Sequence, residues 1–105
     1  MALKIFWTHF AKFELKKIYE FHNIVASNRI AKKLVSGIVL STKNLSKQPE
    51  IGTLEELLLN KPQKIRFLVH KNYKMIYWIN SEKNEIEIVA VFDCKQNPTK
   101  ITRLK

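Results

Sequence analysis

The run Tyr73 to Ile79, YKMIYWI, constrains the fold more than any other segment of this 105-residue chain. Side chains alternate across a strand, so Met75, Tyr77 and Ile79 share one face and Ile76 and Trp78 the other. A strand apolar on both faces needs cover on both, which puts it in the middle of a sheet. Neighbouring runs supply its partners. Ile65 to His70 reads as a strand joined to it by a tight turn at Lys71-Asn72, and Glu85 to Phe92 reads as another, reached through a loop over Asn80 to Asn84.

Ahead of this sheet the period changes. Leu3 to Trp7 is a short β-forming run, and Thr8 is placed to cap a helix. From Thr8 to about Ala26, Ala11, Leu15, Ile18, His22 and Val25 recur at spacings of four, three, four and three, an apolar stripe of helical period. Ser27 or Asn28 caps a second helix running to about Lys47, with a stripe of Ala31, Leu34, Ile38 and Leu45 widened by Ile30 and Val35. So little chain lies between the two helices that they form an antiparallel hairpin. Gln48-Pro49-Glu50-Ile51-Gly52 stops the second helix. Thr53 to Leu59 reads as a short helix or a covering loop, and Lys61-Pro62-Gln63 leads into the sheet. The expected fold is α+β: an N-terminal strand and an antiparallel helical hairpin on a small, mainly antiparallel four-stranded sheet. Residues 1–105 form one domain, with a basic tail from about residue 93.

Charge narrows the partners. Nineteen Lys and Arg stand against nine Asp and Glu, a net charge of +10. Phosphate backbones and acidic protein segments are the natural complements of such a surface. The single cysteine, Cys94, excludes an internal disulfide and fits a reducing compartment. The start, MALKIFWTHF, holds too few apolar residues for a signal peptide or a membrane span, so a cytoplasmic protein with no membrane partner is expected. His9, His22, His70 and Cys94 lack metal-ligand spacing. Two glycines cannot build a P-loop or a dinucleotide fingerprint. Neither a metal nor a cofactor is expected.

What remains is a basic cluster. Lys61, Lys64, Arg66, Lys71 and Lys74 occur with His70 and without an acid between Lys61 and Lys74. Arg66, Leu68 and His70 point to one face of their strand, and Lys74 follows one turn later. Arg66 can clamp a phosphate through two parallel hydrogen bonds, whereas the lysines act as point charges. Tyr73 and Tyr77 offer stacking surfaces or a hydroxyl, and His70 is the general acid or base nearest the cluster. The competing reading is a solvated sheet edge protected by lysines against aggregation.

From strand to tail the chain resembles the RelE/ParE superfamily, toxins of bacterial type II toxin–antitoxin systems, over roughly residues 3 to 101. The resemblance is carried by KIFWTHFAKFELKKIYEF, with Trp7, Ala11, Leu15, Ile18 and Tyr19, and by LSKQPEIGTLEEL after the hairpin. It continues through the arginine and tyrosine strands of IRFLVHKNYKMIYWI and through IEIVAVFDCKQNP, where many relatives carry arginine in place of Lys95. It implies a cognate antitoxin that covers the basic groove, and one of two mechanisms. RelE-like members cleave mRNA on the ribosome; here that chemistry would fall to Arg66, Lys71, Lys74, His70 and Tyr73. ParE-like members poison DNA gyrase by protein contact, for which Arg66, Lys71, Lys74, Tyr77 and Lys95 are the binding candidates. RelE-like toxins generally place a tyrosine or histidine near the end of the last strand, where this chain reads Phe92-Asp93-Cys94. That departure, with the long helical pair and its PEIG turn, puts the resemblance on the ParE side. A non-toxic nucleic-acid-binding module is the remaining alternative.

Overall fold

A computed structural model of the chain describes residues 2–55 and 64–94. In order these form β1 (Lys4–Trp7), α1 (His9–Val25), α2 (Asn28–Lys43), a 3-10 turn (Asn44–Ser46), β2 (Thr53–Leu54), β3 (Ile65–His70), β4 (Tyr73–Asn80) and β5 (Glu85–Asp93). The sheet runs β1-β5-β4-β3-β2. Among the described residues only the β1–β5 pair is parallel. The doubly apolar strand β4 thus lies in the centre, as its sequence requires. The sheet has five strands rather than the four expected, because Thr53 and Leu54 pair with Phe67 and Arg66. Two residues are too short for alternation to show, so this strand is set by its partner.

Both helices start on a side-chain cap. The Thr8 hydroxyl accepts from Ala11 N–H at 3.2 Å and donates to the Ile88 carbonyl at 3.1 Å, tying the start of α1 to β5. The Ser27 hydroxyl accepts from Ile30 N–H at 3.1 Å. With Ala26 and Ser27 alone between them, the helices fold back as the expected hairpin, and the Asn28 side-chain amide donates to the Tyr19 hydroxyl across it. Two expectations fail at its tip: Val25 and Ile30, read as parts of the buried stripes, are exposed. The stripe of α1 ends at His22, beyond which the hairpin has no sheet beneath it to bury against.

The core lies between the hairpin and one sheet face. Ala11, Leu45, Tyr77, Ile86 and Ile88 form one cluster and Ile38, Tyr73, Met75 and Val91 a second, with Trp7 and Leu68 packed against both. Ile88 and Val91 both face the helices although they lie three positions apart, an offset that strict alternation would put on opposite faces. A bulge explains it: Tyr77 pairs with Ile88 and Ile76 with Ala90, leaving Val89 unmatched and reversing the alternation of β5. Among the described residues no helix is long and apolar enough to cross a membrane.

Candidate functional site

The β3–β4 register assigns each candidate to a face. Arg66 lies opposite Tyr77, Leu68 opposite Met75 and His70 opposite Tyr73, all on the helix-bearing side. Lys74 lies opposite Val69, on the other side of the sheet. Arg66 and Lys74 therefore do not share a groove. Lys71 occupies the exposed turn between the strands with φ 57°, in the left-handed region. Lys95 lies outside the described residues.

Arg66 and Tyr77, cross-strand neighbours, both reach the loop at Pro49–Gly52. The Arg66 guanidinium donates to the carbonyls of Gly52 at 2.9 Å and Glu50 at 3.3 Å, and lies 3.7 Å from the Glu50 carboxylate. The Tyr77 hydroxyl accepts from Gly52 N–H and donates to the Pro49 carbonyl, each at 2.9 Å. A Cβ on Gly52 would sit 2.5 Å from that hydroxyl and 2.7 Å from the Phe67 carbonyl, so the close approach requires glycine. Burial, the largest cause, pushes the Tyr77 phenol above its usual 10.0, while Gly52 N–H and Arg66 oppose the rise. Together the two side chains satisfy four backbone groups of a loop that has no ladder of its own.

The two acid–base candidates face inward. The Ser41 hydroxyl donates to the Gly37 carbonyl at 2.8 Å, so its oxygen accepts from His70 Nδ1–H at 3.2 Å. The Nε2 edge of the His70 ring lies against Gly37, where a Cβ would meet it. Tyr73 is buried, its hydroxyl 2.9 Å from His22 Nε2 on α1. Burial chiefly, and the charge of Asp93 after it, raises the Tyr73 pKa. On the opposite face the Lys74 ammonium is 3.0 Å from the buried carboxylate of Glu55 and 4.2 Å from the centre of the Phe67 ring. Tyr77 is fully buried, so it offers no stacking face.

The sequence reading missed one surface. Phe10, Phe13, Phe21 and Ile24 are all exposed, with Lys17 among them. Their spacings draw a second stripe along α1, about 120° round the helix from the buried one. The signal was present as a second set of apolar residues at helical period.

Comparison with known proteins gives this arrangement its class. The sequence profile described as "ParE toxin of type II toxin-antitoxin system, parDE" matches residues 5–98. In solved structures the same fold recurs in the chromosomal ParDE system of P. aeruginosa, with a TM-score of 0.73 at 21% identity over 90% of this chain and 98% of that one. The toxin–antitoxin complex RelBE2 of Mycobacterium tuberculosis follows, with a TM-score of 0.58 at 20% identity over 89% of this chain and 99% of that one. The isolated E. coli RelE toxin has a TM-score of 0.50 at 17% identity over 96% and 94%. No curated protein matches the sequence. Hairpin and sheet are thus those of a toxin of the RelE/ParE superfamily. Within it, the chain belongs to the ParE toxin family of type II toxin–antitoxin systems.

Proposed function

We propose that this ParE-family toxin arrests growth in the cytoplasm by poisoning DNA gyrase through protein contact, and that a cognate antitoxin keeps it silent. One observation carries the choice over mRNA cleavage. Each described group that would serve a nuclease is held by another part of the chain or lies apart from the rest: Arg66 by the Pro49–Gly52 loop, His70 by Ser41, Tyr73 by His22, and Lys74 by Glu55 on the far face. Acid–base catalysis of phosphodiester cleavage needs its donors and cations within hydrogen-bond reach of one phosphate. Bringing Arg66 and Lys74 to one ligand would mean breaking two internal ion pairs and crossing the sheet.

A contact mechanism makes no such demand. The exposed Lys71, and Lys95 in the tail, supply charge toward an acidic partner surface, while Arg66, Tyr77 and Lys74 act by shaping the loops beside them. The solved relatives from P. aeruginosa and M. tuberculosis are described as toxin–antitoxin systems, which supports a partner antitoxin here. Pulse labelling just after induction tests the target. Early loss of thymidine incorporation with methionine incorporation intact is the expected result; the reverse order would move the target to translation.

A further inference from the structure

We infer that the outer face of α2 is a binding surface for duplex DNA, held through its phosphates. From Arg29 onward the exposed residues of α2, apart from Ile30 at the tip, are Arg29, Lys32, Lys33, Ser36, Leu40 and Lys43. Their spacings of three, one, three, four and three put all six on one side of the helix. The buried Ala31, Ile38 and Thr42 lie on the other. Four of the six are cations, and Lys47 follows, exposed, just past the 3-10 turn. Among the described residues none of these five cations is in an ion pair, and α2 contains no acid. That arrangement works against the helix. Arg29 stands in the first turn, where the helix dipole favours a carboxylate, and Arg29 and Lys33 repel at a spacing of four. A helix face that serves only solubility mixes its signs. This one carries a single sign.

The spacing of the charges points to the partner. Arg29, Lys32 and Lys33 form one group and Lys43 with Lys47 a second, with the neutral Ser36 and Leu40 between them. From Lys33 to Lys43 the helix rises ~15 Å, close to the width of the B-DNA major groove, about 12 Å. Laid across that groove, α2 sets one group of cations on each of the two backbones that border it. Each cation then meets a phosphate and releases counterions. Ser36 and Leu40 face the base edges without a charged or bidentate reader, so binding tolerates any sequence. A-form RNA has a deep, narrow major groove that does not match the span. An acidic peptide would meet the same charges but gives no reason for the gap between them. The neighbouring helix adds to the field: Lys12 lies about two turns before Tyr19, on the side of α1 that meets Asn28 of α2. Glu14, one of the two acids between Thr8 and Lys47, is already paired with Lys17. The inference goes beyond the gyrase reading and does not need it, because the phosphates are met by this chain alone.

The test uses the full chain and a fluorescein-labelled DNA duplex of mixed sequence, about 20 base pairs long, titrated by fluorescence anisotropy between about 50 and 200 mM salt. Five phosphate contacts should give a slope of log K against log salt of about −4.5. Lys32→Gln with Lys33→Gln and Lys43→Gln should make that slope shallower by about 3 and weaken binding about tenfold or more at the low-salt end. Lys4→Gln with Lys17→Gln and Lys83→Gln removes the same charge from exposed positions off α2 and should leave the slope within about 0.5 of the wild type. Circular dichroism confirms that each variant folds, and the wild-type slope stands without them. A wild-type slope no steeper than about −3, or equal losses in the two triple variants, would overturn the proposal. So would binding of an RNA duplex of the same sequence as tightly as the DNA, which would make the face an RNA surface. Displacement of the DNA by polyglutamate at equal charge concentration would overturn it too, in favour of an acidic protein. Gyrase and ribosomes are absent from the assay, so the DNA surface and the gyrase reading can fail separately.

Discussion

Replacing Gly37 by Ala should destabilise this protein, against the usual rule for an interior helical glycine. Alanine is better in a helix by roughly 1 kcal/mol, and Gly37 lies well inside α2 with no positive φ. The added Cβ, however, would stand 2.7 Å from Cε1 of His70 and closer still to Nε2. The ring must swing away, losing its hydrogen bond to Ser41 at 3.2 Å, a net loss of about 1 kcal/mol. Overpacking between α2 and β3 adds about 1–3 kcal/mol. The balance is a loss of about 1–3 kcal/mol. With His70→Ala in place the obstruction is gone, and Gly37→Ala should then stabilise by up to about 1 kcal/mol. Urea unfolding of the wild type, both single variants and the double variant measures this. A change of sign between the two backgrounds is the expected result. If Gly37→Ala stabilises while His70 is present, α2 does not rest on β3 as described, and the assignment of His70 to a packing role fails with it.

Other expectations follow from the same geometry. Tyr77→Phe should lose about 1–3 kcal/mol at neutral pH, since Gly52 N–H is left without its acceptor inside the core. Because burial raises the Tyr77 pKa, the folded chain holds the phenolic proton more tightly than the unfolded chain. The stability so gained is complete below about pH 10 and falls as pH rises through the folded value, so urea midpoints of Tyr77→Phe should decline less steeply above pH 10 than those of the wild type. Lys74→Met leaves the Glu55 carboxylate buried without its cation and should lose about 2–4 kcal/mol; adding Glu55→Leu should recover most of it in the same unfolding assay. Lys71→Gly relieves a left-handed backbone and should raise the thermal midpoint by the equivalent of about 0.5–1 kcal/mol.

Much of the fold was legible because long elements write their period into the chain. The stripes of α1 and α2, the caps Thr8 and Ser27, and the doubly apolar β4 each pointed to one local structure, and all stand in the fold. β2 was not legible, because its two residues extend only where Arg66 and Phe67 offer an edge. Nor were the exposed positions of Val25 and Ile30: helical period marks a face but not where the sheet beneath it ends. The reversal of faces at Val89 depends on a bulge that alternation alone cannot locate.

The candidate site was legible in parts. Alternation already separates Lys74 from Arg66, since Lys74 pairs with Val69; grouping them followed their nearness in sequence instead. That Arg66 serves the Pro49–Gly52 loop, and that Glu55 meets Lys74, depends on contacts between residues far apart in the chain. No local pattern encodes those.

The most direct test sets the two mechanisms side by side with purified components. The chain is titrated into a gyrase supercoiling reaction and, in parallel, into ribosomes programmed with a defined mRNA whose ends are mapped by primer extension. Loss of supercoiling with accumulation of linear, gyrase-linked DNA and intact mRNA is the outcome expected of a toxin whose Arg66, His70, Tyr73 and Lys74 serve the fold. New mRNA ends at the ribosomal A site, with gyrase unaffected, would contradict it.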